Sequence, residues 1–298
     1  MRDLLSVDSG SRRIGPDPAV VEWRGALMYL LIGIVLGMVL GFLIIQLRDR
    51  YRTGKYLAST EYWVYLPDEQ LPPQDEVVKL VLGGNSPVGP EEGLLLSDIR
   101  LHIGLVLRAK NPHVFRPDLF EDHLEPTAEL LNLMSQSKAL AKIRYLSEVK
   151  LKNDAHLQLL PYLAYAYAKL GNGQAIYDVS AERLMTVPDL VDQLKADRNA
   201  RRPELHLQTI WRRTEDGGRA ETRGLIKKGI PDLVTLEVHH DERLLVTALL
   251  EEAGRRLWAQ NQFSDQVELE SYNDLFRLML GPPRNGRSQV RIVRVQSA

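Results

Sequence analysis

The sequence predicts an α+β fold: one N-terminal transmembrane helix, then a mixed, largely antiparallel sheet domain with packed helices. Three observations carry that expectation. Residues 25–47 form an apolar run without a charged side chain. After it, short alternating apolar and polar segments are separated by Gly, Pro and Asn turns, while other stretches repeat their apolar residues at helical spacing. These hairpins and helices do not keep the strict βαβ rhythm of a doubly wound sheet.

The run from Gly25 to Leu47 reads GALMYLLIGIVLGMVLGFLIIQL. A helix of this length crosses a hydrocarbon core of roughly 30 Å and satisfies its own backbone hydrogen bonds. Glu22 and Arg24 bound it on one side and Arg48, Asp49 and Arg50 on the other. Trp23, Tyr29, Tyr51 and Tyr56 lie near the two interfaces. The run is longer than a signal-peptide core, follows a polar leader, and precedes no A-x-A-like site, so an uncleaved single-pass anchor is expected. Arg48, Arg50, Arg52 and Lys55 crowd the far side more tightly than Arg12, Arg13 and Arg24 crowd the near side. The positive-inside bias therefore favours a cytoplasmic soluble domain. Gly33, Gly37 and Gly41 recur every fourth residue and clear one face of the helix for a helix–helix contact. That contact is either self-association or docking to another membrane protein.

The expected organisation is a polar leader over 1–24, the helix over 25–47, a juxtamembrane linker over 48–60, and a soluble domain over 61–298 with a possible subdivision near 136. Tyr62–Leu66 is aromatic and β-branched and ends at Pro67, which predicts a strand. Gln74–Leu82 suits a short helix or strand, stopped by Gly83-Gly84-Asn85-Ser86-Pro87. Gly93–Arg108 alternates as a strand around Asp98, Arg100 and His102. Pro126–Ser135 has helical spacing, and Ala141–Val149 alternates again as a strand. Asn153–Leu170 predicts a helix capped by Asn153 or Asp154, with Leu157, Leu160, Leu163, Ala164 and Tyr167 on its apolar face and Gly171-Asn172-Gly173 at its end. Ala175–Val179 is a buried strand, and Pro188–Lys195 a short helix. Leu205–Arg212 and Ala220–Ile226 flank Glu215-Asp216-Gly217-Gly218, a hairpin signal. Asp232–Val238 reads as a strand, Asp241–Gln260 as an amphipathic helix whose charge order suits its dipole, and Val290–Val295 as a last strand.

Two segments carry a resemblance. Ala175-Ile176-Tyr177-Asp178-Val179 follows a leucine-rich helix, and Gly229-Ile230-Pro231-Asp232-Leu233 precedes a strand and a terminal helix. In this order, residues 141–260 resemble small uncharacterised bacterial α+β domains. The resemblance implies no activity.

Chemistry is constrained mostly by exclusion. The 298 residues include no cysteine, which removes disulfides, thiolate metal sites, iron–sulfur clusters and a cysteine nucleophile. A net charge of -1 argues against a protein coated in nucleic acid. No glycine-rich loop meets the P-loop or dinucleotide pattern in its required context. His239-His240-Asp241-Glu242 is the densest ligand cluster, but adjacent histidines on an extended chain point apart, and a polar turn capping the next helix is the simpler reading. No catalytic residue, cofactor or metal site is assigned. Between Lys195 and Lys228 ten Lys/Arg meet five acids, and Arg198, Arg201, Arg202, Arg212, Arg213, Lys227 and Lys228 are the candidate contacts to an anionic surface. Arg284, Arg287, Arg291 and Arg294 follow Pro283 without any acid. A solvated hairpin with cross-strand charge pairs is the plainer account of the 195–228 cluster.

The expected role is a membrane-anchored accessory or scaffolding subunit whose soluble domain mediates protein–protein interaction in a membrane assembly, touching lipid and another membrane protein or its own copy. Two alternatives stay open. One is a membrane-tethered enzyme with a dispersed site using His239, His240 or Asp178. The other is a basic module binding anionic lipid or nucleic acid.

Overall fold

The computed structural model describes residues 57–83, 86–116, 127–271 and 274–295. The expected anchor, with Gly33, Gly37 and Gly41, lies outside the described residues. Among those that are described, no helix is long and apolar enough to cross a membrane.

The β-branched and aromatic run beginning at Ala58 forms the central strand of a first sheet. Strand β1 (Ala58–Leu66) lies between β3 (Ala139–Ser147) and β4 (Ala175–Asp178), with β2 (Leu101–Leu107) and β5 (Arg183–Thr186) outside them. The order is β2-β3-β1-β4-β5, antiparallel throughout. Helix α1 (Gln74–Leu82) is followed in the chain by α2 (Ala128–Gln136), capped by the Thr127 hydroxyl, and by α3 (Ala155–Leu170). The apolar face read from the sequence of α3 packs as expected: Leu160, Leu163, Ala164 and Tyr167 join Tyr62, Val64 and Ile143 in one buried cluster.

After β5 the chain passes through α4 (Val187–Ala196), begun by a Thr186/Asp189 capping box, and enters a second sheet. Its strands are β6 (Gln208–Arg213), β7 (Gly218–Arg223), β8 (Asp232–Thr235), β9 (Gln266–Ser271), β10 (Asp274–Leu280) and β11 (Arg287–Val295), in the order β6-β7-β8-β11-β10-β9. Only β8 and β11 run parallel. Helix α5 (Arg243–Gln260) covers one face, where Leu249, Leu250, Ala253 and Leu257 meet Leu233, Leu269, Phe276 and Leu278.

The fold class is therefore α+β with mixed, largely antiparallel sheets and packed helices. Three differences from the sequence expectation have physical causes. The strand expected over 93–108 shrinks to β2, because Pro90 and the Glu92 carboxylate, which accepts the Gly89 N–H at 2.9 Å, start a helical turn that continues as a 3-10 turn over Leu94–Ser97. The first sheet runs straight across residue 136, since β3 pairs with β1 along its whole length, so the change of sheet falls after β5 instead. Strands β9 and β10 occupy a stretch where no element was expected; the alternation of Phe276, Leu278 and Leu280, buried against Arg277 and Met279, is their signal.

Candidate functional site

A 3-10 turn over Leu225–Lys228, between β7 and β8, carries Lys227 out of the second sheet and into the first. There its ammonium donates to Asp178 of β4 and to Nδ1 of His206 at 3.1 Å, and lies 5.3 Å from the centre of the Tyr62 ring. The other Asp178 oxygen accepts the Ala181 N–H at 3.0 Å. Nε2 of His206 faces two carbonyls, Ala200 at 2.6 Å and Leu157 at 3.1 Å. The Leu157 carbonyl is free because Pro161, one turn on within α3, has no N–H to give it. These partners assign the proton of His206 to Nε2 and leave Nδ1 as the acceptor for Lys227. Burial, reinforced by the Lys227 charge, holds its pKa well below the usual histidine value. His156 donates in the same way to the Lys227 carbonyl at 2.9 Å, and burial pushes its pKa down to about 4.

This cluster contains Asp178, one of the residues considered for a dispersed active site, and it is closed. Tyr62, Asp178, His206 and Lys227 are each at most 1% exposed. Lys227 also leaves the expected anionic-surface contacts. Its ammonium is buried in an ion pair between the two sheets and cannot reach a surface.

Most other members of that expected patch are also engaged within the chain. Arg201 pairs with Glu92, Arg202 donates to the Gln193 carbonyl, and Lys228 donates to the Trp258 carbonyl at 3.0 Å. Arg212 bridges Glu182 at 2.8 Å and Glu221 at 3.1 Å, and Arg223 joins the same two acids. The carbonyl of Arg198 accepts from Gln158 at 2.9 Å and from Tyr162 at 3.2 Å. Arg213 stands exposed at the end of β6. His239 and His240 diverge: His239 pairs with Asp241 at 3.2 Å, while the His240 ring lies 6.3 Å from Trp211. No cluster of potential metal ligands occurs among the described residues.

Four arginines without an ion pair among the described residues, Arg219, Arg284, Arg287 and Arg291, border a different part of the second sheet. Strands β8 and β11 pair from Asp232 with Arg287 to Thr235 with Val290, and then part. The tail of β8 is drawn to the other side, where Val238 and Gly218 exchange backbone hydrogen bonds of 2.8 and 3.0 Å. The Gly217-Gly218 pair permits that approach. A Cβ at 217 would sit 2.2 Å from the Val238 carbonyl oxygen, and one at 218 within 2.4 Å of the Trp211 ring. From Arg291 onward β11 is paired, among the described residues, only with β10, so a split opens in the middle of the sheet.

A cavity of about 640 Å³ opens on each side of this split. One is lined by Arg219, Leu236, Glu237, Arg284, Arg287 and Gln289. The other is lined by Leu245, Leu249, Phe276 and Ile292, with Arg291 and Arg294 at its border. Thr235 and Leu236 belong to both. Arg294 pairs with Asp274, and Glu237 already accepts from the Thr214 hydroxyl. Arg284 and Arg287 sit on a tight Asn285-Gly286 turn with φ of 51° and 74°, closed by reciprocal backbone bonds of 2.7 and 3.0 Å and tied to β8 by the Asp232 N–H to Gly286 carbonyl bond of 2.9 Å. Their backbone is thus fixed before any ligand arrives. The acid-free arginine tail and the Asn-Gly dipeptide were visible in the sequence; their meeting with Arg219 of β7 was not.

Asp232 stands where the 3-10 turn, β8 and the arginine turn converge. Its carboxyl accepts the Leu225 N–H at 3.1 Å and the Thr222 hydroxyl at 3.3 Å, and burial pushes its pKa up to about 7. The folded chain therefore binds a proton here that the unfolded chain releases near pH 4. The resulting stability is fully present below pH 4 and is lost as pH rises to about 7. Melting temperatures across that window should fall less steeply for Asp232→Asn than for the parent chain. Parallel curves would show that Asp232 does not titrate in this way.

Comparison with protein-family models, with curated proteins and with solved structures returned no significant match.

Proposed function

We propose that the chain is a single-pass, membrane-anchored accessory or scaffolding subunit whose α+β domain docks a partner protein at the split between β8 and β11. The observation that carries this reading is the contrast in charge pairing. Within the second sheet Arg212, Arg223, Arg277 and Arg294 are bound to carboxylates, and Arg213 stands alone at the end of β6. Arg219, Arg284, Arg287 and Arg291 form no ion pair among the described residues and border an open cleft. Leu236, Met279 and Val293 are exposed on β10, β11 and the tail of β8. Apolar surface ringed by unpaired cations is the composition of a protein-docking patch. The apolar run at 25–47 supports the membrane address. The closed Asp178–Lys227 cluster argues against the enzymatic alternative, since a substrate would have to enter a filled core.

Purification of the full chain from native membranes in mild detergent tests the proposal. A specific protein should accompany the chain and be depleted at least tenfold by the Arg219→Glu/Arg287→Glu double variant, whose thermal melt should match the parent. Recovery of the full chain in the aqueous fraction without detergent would remove the anchor. An identical set of companions with both proteins would remove the docking site.

A further inference from the structure

We infer that the split receives an extended, acidic segment of the partner protein, which adds a strand to the free edge of β11 and sets its carboxylates against Arg219, Arg287 and Arg291. The inference rests on the docking role proposed above and names what docks. The first reason is the backbone. Residues 291–295 of β11 pair with β10 on one side and have no strand partner on the other among the described residues. In such a strand alternate residues direct both N–H and C=O to the unpaired side. A row of this kind is a template for another extended chain.

The second reason is spacing. Arg287, Gln289 and Arg291 are alternate residues of one strand and share one face, about 7 Å apart in steps of two. An added strand has the same repeat: one acidic side chain meets Arg291 on the unpaired stretch, and the segment's continuation over the arginine-lined cavity carries a second toward Arg287, about 14 Å further on, where β11 itself is paired with β8. Arg219 stands on β7, across the cleft, and closes it from the other side. The third reason is the lining. The intervening positions of an added strand face the helix-side cavity, walled by Leu245, Leu249, Phe276 and Ile292. The preferred segment therefore alternates acidic with apolar residues. A lipid headgroup or free phosphate would satisfy the arginines and leave the backbone row unmatched. The arginine-lined cavity carries no aromatic side chain on which a base could stack.

The test uses the full chain in detergent and a fluorescent ten-residue peptide alternating glutamate and valine. Two further peptides have the same side chains but carry N-methyl groups on the glutamates or on the valines, each pattern blocking one hydrogen-bonding edge. Phosphatidylglycerol vesicles and inorganic phosphate are the competing probes. The plain peptide should bind, weaken as salt rises, and lose at least tenfold in affinity on N-methylation of the pairing edge and on Arg291→Glu. Amides within residues 291–295 should gain protection from hydrogen exchange on binding. Equal affinity for both N-methylation patterns and the unmodified peptide, failure of the plain peptide to bind, or binding to vesicles or phosphate alone would each overturn strand addition. The two proposals fail separately. A companion lost on arginine reversal, combined with indifference to N-methylation, refutes the strand and keeps the docking site. Absence of any such companion refutes the docking site.

Discussion

Replacing Asp178 by alanine will destabilise the folded chain by about 3–5 kcal/mol, because it leaves the Lys227 ammonium buried without a counter-charge. Both side chains have no exposed surface, so water cannot take the place of the carboxylate. The remaining partners are poor substitutes: Nδ1 of His206 offers one lone pair at 3.1 Å, and the Tyr62 ring only its face. Burial already presses the Lys227 pKa downward, and Asp178 is the main group holding it up. Without Asp178 the lysine either deprotonates or pulls the 3-10 turn away from the first sheet. A paired replacement separates these effects. Asp178→Leu with Lys227→Met fills similar volume without charge, and should recover most of the loss or exceed the parent in stability. Denaturant unfolding of the full chain in detergent gives both numbers. A loss below about 1 kcal/mol for Asp178→Ala would show that the pair contributes little to joining the sheets.

Gly224→Ala should be nearly as damaging, at about 2–5 kcal/mol, by a purely steric route. Gly224 opens the 3-10 turn with φ of 111°, a conformation that L side chains rarely adopt. An added Cβ would also lie 2.0 Å from the His206 carbonyl oxygen. That oxygen belongs to backbone, so relief requires a shift of the turn or of the segment entering β6. Either movement separates Lys227 from His206. Gly286 provides the comparison. Its φ of 74° is also left-handed, yet the nearest atom to an added Cβ is 4.0 Å away, on Ile226. Gly286→Ala should therefore cost only the backbone term, about 1–2 kcal/mol. Equal unfolding midpoints for the two variants would refute the steric account.

The two sheets were unequally legible. Strand β1 and helix α3 follow from local pattern, since an aromatic, β-branched run and a helical apolar stripe each need only one covering layer. The hairpin of β6 and β7 was announced by Glu215-Asp216-Gly217-Gly218. Strands β9 and β10 were missed although their alternation and the Asn285-Gly286 turn lie in plain view. The short β5 carries too few residues to show any period. For the site, the arginines after Pro283 were noted, while weight fell on 195–228, where charges are dense. Density misled there, because Glu92 and Glu182 come from outside that stretch to neutralise Arg201, Arg212 and Arg223, alongside the nearby Glu221.

From the amino-acid order alone came the alternation of short strands and amphipathic helices, the apolar run at 25–47 and the lack of any thiol chemistry. All of these are properties of neighbouring residues, and period and composition report them directly. Tertiary structure alone decided which cations are neutralised, that Asp178 and Lys227 meet in a closed core, and that β8 parts from β11. Each of these depends on pairing between residues tens of positions apart, and Coulomb and hydrogen-bond energies follow distance in space.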